Sequence, residues 1–253
     1  MILAVAAILA GFQVLLALAG RTMHESGMFL QIAALLPPFV RQILGPGVAS
    51  VMSYAGVAAV GYFHVAVTAA IVGLAIALGT EPAAEIESGF ADLVLARPVA
   101  RRAPIVRSAA VIVIGLSIVV LGMVLGTRAG SAWIAPPGAA APSPRLVVSL
   151  AANLWALGLA WGGIALALAS MSRRRAAAGS IAGLAALVAY LLDYLGRLWS
   201  PAAIVAKLSP FHYFSGFDLV GGRDLPVAHL VVLLATGAVS GLVAFAAFSR
   251  RDV

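Results

Sequence analysis

Residues 108–127 read SAAVIVIGLSIVVLGMVLGT, a run with no charge, closed by Arg107 on one side and Arg128 on the other. About 20 predominantly apolar residues are what a helix needs to cross the hydrocarbon core of a bilayer. Working outward, the same test finds five more such segments, at 1–20, 53–79, 146–171, 177–193 and 226–248. The 53–79 segment lies inside a longer charge-free run, 42–80, after the break Gly45-Pro46-Gly47. Alternation of apolar and polar residues over about ten positions, the mark of a barrel strand, is absent. The expected fold is an all-α integral membrane protein with six transmembrane helices, a single membrane domain over residues 1–253.

Composition agrees. Of 253 residues, 63% are hydrophobic and 10% charged, against about 25% charged in a soluble domain. The mean hydropathy is +1.09. A water-soluble fold has no place to hide that much apolar surface. The chain has no cysteine, which removes disulfides, thiolate metal sites and cysteine nucleophiles. Its net charge of +7 sits in short clusters between apolar runs, a pattern that orients membrane helices, so nucleic acid is not an expected partner. Residues 1–20 have no basic n-region, so this segment is read as a retained first span and not as a cleaved signal peptide.

The loops fall into two alternating sets. Residues 80–107, 171–176 and 249–253 hold nine Lys/Arg in 39 positions, while 21–52, 127–147 and 194–226 hold seven in 86. The denser set, with Arg173-Arg174-Arg175, belongs in the cytoplasm, which places both termini there. On the other side, the apolar stretch 26–44, interrupted by Pro37-Pro38, suits an interfacial helix. Residues 129–144 are rich in Gly, Pro and Ala and read as irregular. Residues 197–224 mix Trp199, Phe211, Tyr213 and Phe214 with Pro201 and Pro210. They suit short interfacial or re-entrant helices between the fifth and sixth spans.

Several chemistries lack their motifs. There is no G-x-x-x-x-G-K-[ST] phosphate loop and no G-x-S-x-G elbow. His24-Glu25 opens like a zinc helix, but position 28 is methionine. His64, in the second span, is expected to bond to a neighbouring helix. Asp193 is an acid near the end of the fifth span, and such acids are functional suspects. Arg197 stands four residues on, so a plain i,i+4 ion pair accounts for it equally. Gly122/Gly126, Gly158/Gly162, Gly179/Gly183 and Gly237/Gly241 form G-x-x-x-G pairs, which favour close helix packing without identifying a dimer interface.

Residues 81–107, EPAAEIESGFADLVLARPVARRAPIVR, join the second and third spans. Glu81 and Glu85 share a helix face at i,i+4. Gly89 ends or bends that helix, Pro98 takes Arg97 out of helical geometry, and a new helix starts near Pro104. The reading is an amphipathic helix–turn–helix at the cytoplasmic surface. It is either a handle for another protein or a solvated loop.

This stretch is similar to the ABC-2 type permease family, through Glu85 or Glu87, Gly89, Leu93, Leu95, Arg97, Pro98 and Arg101. Leu208-Ser209-Pro210-Phe211-His212-Tyr213-Phe214 resembles the family's segment between spans five and six. Phe248-Ser249-Arg250-Arg251-Asp252-Val253 resembles its usual ending, so the likeness runs from about residue 50 to the end. The chain departs from the family in having Arg107-Ser108 where Gly-Lys is common before the third span. It also begins in a span, where many members begin with a basic amphipathic helix.

The resemblance implies a permease subunit of an ATP-binding-cassette exporter in a bacterial cytoplasmic membrane. Glu81, Glu85, Glu87, Gly89, Arg97, Pro98 and Arg101 would form a coupling helix that meets a separate ATPase subunit. ATP and magnesium would be held by that partner, with no cofactor, no metal and no catalytic residue in this chain. A second permease subunit, identical or related, would complete the path through the membrane. Asn153, Tyr190 and Asp193 are the candidate pathway residues, with Trp161 nearby, for an amphiphilic or apolar cargo. Two other classes compete. One is an ATP-independent channel or secondary transporter, favoured by inverted repeats with broken helices. The other is a membrane-embedded lipid enzyme, which needs clustered acids or histidines, whereas His24, His64, His212 and His229 are scattered.

Overall fold

The structure is a computed structural model that describes residues 1–35, 50–90 and 102–250. Those residues form helices and turns, with no strand among them. The helices are α1 (Ile2–Glu25), α2 (Met28–Leu35), α3 (Tyr54–Val60), α4 (Val65–Gly79), α5 (Glu81–Glu87), α6 (Ala103–Ile134), α7 (Pro144–Met171), α8 (Arg175–Leu198), α9 (Ala203–Ala206), α10 (Gly216–Val220) and α11 (Val227–Ser249). Short 3-10 turns occupy Ser200–Ala202 and Pro210–Tyr213. Six segments are long and apolar enough to cross a membrane: α1, α3 with α4, α6, α7, α8 and α11. The chain is therefore a multi-pass membrane protein by helix length and composition.

The helices overrun the charge-free segments because an α-helix satisfies its own backbone polar groups in headgroups as well as in hydrocarbon. α6 has 32 residues, about 48 Å at 1.5 Å per residue, well beyond the roughly 30 Å of hydrocarbon. This corrects the expectation that residues 129–144 are irregular. Helix continues to Ile134 and gives way only at 135–143, where Pro136-Pro137 withdraw backbone donors.

The second span is not one rod. Gly61-Tyr62-Phe63-His64 separates α3 from α4. The hydrogen bond to a neighbouring helix that its sequence position suggested for His64 is not found among the described residues. Its Nδ1 accepts the Ala66 backbone N–H at 3.3 Å, so its hydrogen bond serves the first turn of its own helix. The physical reason is the break, which strips that first turn of i−4 carbonyl partners. The His64 ring packs edge-on to Phe12 at 5.6 Å.

The fold divides into two compact units. The first holds residues 1–68, 117–154 and 215–226. Its core is a close seam between α1 and the second half of α6. A Cβ at Gly126 would lie 2.4 Å from the Ala10 carbonyl oxygen, and one at Gly130 2.7 Å from the Ala17 methyl. Glycine is what permits the two backbones to approach there. Tyr62 OH and Thr127 Oγ1 share a buried hydrogen bond of 3.0 Å beside this seam. Gln13, fully buried on α1, packs its carboxamide over Gly61 at the helix break and has no hydrogen-bond partner among the described residues.

The second unit holds residues 69–116, 155–214 and 227–253. Gly158 and Gly162 of α7 admit Leu116 and Ile112 of α6. A Cβ at Gly163 would stand 2.5 Å from the Gly237 carbonyl oxygen, so α7 and α11 meet backbone to backbone. α8 buries only a stripe of small residues, Ala178, Ala182 and Ala186, with Asp193 at its end. Its Leu and Ile side chains face outward, as suits a helix with lipid on one side.

Candidate functional site

The segment that joins the second and third spans folds into a short helix for local reasons. Thr80 Oγ1 turns back to the Ile76 and Ala77 carbonyls at 3.0 and 3.2 Å and closes α4. Pro82, in the first turn of α5, needs no backbone donor there. Ser88 N–H bonds to the Ala84 carbonyl, and Gly89, at φ +72°, ends the helix in the left-handed region that glycine tolerates best.

α5 is anchored on both of its faces. Its inner side buries Pro82 and Ala83, and Ala83 forms one cluster with Ala169 of α7 and Ala178 of α8. Its acids are tied to arginines at the starts of two spans. Arg107 in the first turns of α6 pairs with Glu85. Arg175, the first residue of α8, donates Nη2 to Glu81 Oε1 at 2.9 Å and to the Ala77 carbonyl at 3.2 Å. The Arg175 backbone N–H donates to Glu87 Oε2 at 2.8 Å. The three glutamates singled out in the sequence are thus brought together on one helix, and each is already engaged inside the chain. Gly89 stands where the helix stops. Arg97, Pro98 and Arg101 lie outside the described residues.

Nearby, the Arg102 guanidinium sits over the Phe245 ring at 5.1 Å. Cation–π contacts of this kind hold an arginine to an apolar surface without a counter-ion.

The three candidate pathway residues have defined surroundings. Asn153, in the first unit, is fully buried, and its Oδ1 accepts the Ser215 N–H at 3.0 Å. Tyr190 and Asp193, in the second unit, both meet the 3-10 turn 210–213. Tyr190 packs edge-on to Phe211 at 5.5 Å, and Phe211 lies against Trp161 at 5.7 Å. Phe211 is therefore a buried side chain. Asp193 pairs with Arg197 at 2.9 Å, the i,i+4 bridge open from its spacing, and its other oxygen lies 3.5 Å from His212 Nδ1. His212, Tyr213 and His229 then stack in series, Tyr213 to His229 at 5.3 Å. No group of three or more His, Asp or Glu among the described residues could hold a metal ion. The first unit also has a cleft of about 400 Å³ lined by His24, Phe29, Met52, Ser53, Tyr54 and Ala139.

Sequence reasoning missed the part played by Arg107 and Arg175. Arg175 was counted only as a cation that orients spans. The available signal was the surplus of acids in 81–87 facing a triple-arginine turn on the same side of the membrane. Comparison of the chain with protein-family models, curated proteins and solved structures finds no match.

Proposed function

We propose that the chain is the membrane subunit of an ATP-binding-cassette exporter in a bacterial cytoplasmic membrane. A separate ATPase subunit would supply the ATP and magnesium chemistry. A second six-span subunit, a copy or a relative, would complete the pathway. The observation that carries this reading is the clamp on α5. A short helix whose acids grip the starts of α6 and α8, and which follows directly on α4, transmits a push to three spans at once. Two-state movement of packed helices is an established way to turn such a push into a switch. Asn153, Tyr190 and Asp193 remain the candidates for the pathway, and the apolar spans favour an amphiphilic or apolar cargo.

The test is co-expression with ATP-binding-cassette ATPases of the same genome. One of them is expected to co-purify, and its ATP hydrolysis is expected to rise on reconstitution with this chain. If every such ATPase fails to bind, the reading is wrong.

One observation favours a second reading, an ATP-independent channel or secondary transporter. Transporters of that class build their sites at interrupted helices. Here the interruption at Gly61–His64 faces the unbonded carboxamide of Gln13. Transport by the chain alone in liposomes, without an ATPase, would select it.

A further inference from the structure

Among the described residues there are seven Asp and Glu, and each has a partner. Six meet an arginine side chain: Glu25, Glu81, Glu85, Asp193, Asp218 and Asp224. The seventh, Glu87, takes the Arg175 backbone N–H. The arginines are in excess. In the turn between α7 and α8, Arg173 and Arg174 are both exposed, and neither forms an ion pair among the described residues.

That turn is built to hold its shape. Ser172 Oγ donates to the Arg174 carbonyl at 3.0 Å and accepts the Arg174 N–H at 3.2 Å. The next residue, Arg175, is the one that grips Glu81 and Glu87 of α5. The two cations therefore sit on the turn to which α5 is bonded. At the far end of α5, beyond Gly89, the Phe90 ring is 48% exposed.

We infer that the docking surface of this part of the molecule is cationic, formed by Arg173 and Arg174 with Phe90, and that its partner offers acidic side chains and an apolar socket. This rests on the exporter reading, with the ATPase subunit as the partner, and it deepens that reading by reversing the obvious chemistry. The glutamates of α5 are conspicuous in the sequence, yet Glu81 and Glu85 are paired with arginines and Glu87 accepts a backbone N–H within the chain. An acidic partner meets Glu81 and Glu85 already paired with arginines, and it gains the attraction of two guanidiniums that form no ion pair among the described residues. Charge at such a rim sets salt dependence and association rate more than final affinity.

The experiment measures binding of the co-purifying ATPase to the full chain in nanodiscs at low and at moderate salt. Three forms are compared: wild type, Arg173→Gln/Arg174→Gln, and the exchange Glu85→Arg/Arg107→Glu. Glutamine is chosen over glutamate because a reversed cluster would also disturb span orientation. Impermeant labelling of an introduced cysteine at Ser88 checks that orientation is kept. The glutamine pair is expected to weaken binding about five- to tenfold at low salt and to flatten the salt dependence. The exchange is expected to bind as wild type does, because the pair is rebuilt in reverse. Unchanged binding by the glutamine pair overturns the inference while leaving the exporter reading intact. So does loss of phosphatidylglycerol retention with ATPase binding unchanged, which would assign the arginines to lipid headgroups. A wild-type chain that binds no ATPase removes the exporter reading, and the inference with it.

Discussion

Asn153 shows how a polar residue inside a span finds its role. Its Oδ1 accepts the Ser215 N–H at a position from which water is excluded. Removing the acceptor takes a hydrogen bond away from a buried donor, a loss of about 1–3 kcal/mol. Asn153→Leu is therefore expected to lower thermal stability in detergent by that order. Tyr190→Phe, which removes a hydroxyl with no hydrogen bond among the described residues from a side chain that is 37% exposed, is expected to change stability by less than about 0.5 kcal/mol. A large loss of transport by Tyr190→Phe with unchanged stability would mark that hydroxyl as part of the pathway. Asp193 likewise needs no transport chemistry to account for its position, since Arg197 pairs with one of its oxygens and His212 lies 3.5 Å from the other.

At the scale of helices, the four G-x-x-x-G pairs separate into used and unused positions. Gly122, Gly126, Gly158, Gly162 and Gly237 admit neighbouring helices of the same chain. Gly179, Gly183 and Gly241 have nothing within 4 Å of where a Cβ would be. Gly126→Val would drive a side chain into the Ala10 backbone, and overpacking of that kind costs about 1–3 kcal/mol. Gly179→Ala has open space and gains helix propensity, so its stability is expected to stay level or rise by about 0.5–1 kcal/mol. Unfolding of the two variants side by side in one detergent checks the contrast. The spacing alone does not sort these pairs, because each reads the same along the chain.

For the whole molecule, the absence of native cysteine makes topology directly measurable. One span, α6, lies between Ser88 and Ser143, and one span, α7, lies between Ser143 and Ser172. Single cysteines at 88 and 172 are expected to react with an impermeant maleimide only after the membrane is opened, and one at 143 to react in intact cells. Labelling of position 88 from outside would put α5 beyond the reach of any cytoplasmic ATPase.

Six spans, their approximate limits and the acidic helix between the second and third were all legible along the chain. Hydropathy and capping are local properties, summed over about 20 residues or fewer. What tertiary structure alone decided was who meets whom. Glu81 and Arg175 are 94 positions apart, and Asn153 and Ser215 are 62 apart. The break at Gly61–His64 also escaped, because the apolar composition of 53–79 runs through it unchanged. Hydrophobic burial in a bilayer specifies that helices form and span. It says little about their pairing, since lipid tails are as apolar as the side chains they replace. Pairing rests on close approach at glycines and on a few charges, and those can be assigned only when distant segments are seen side by side.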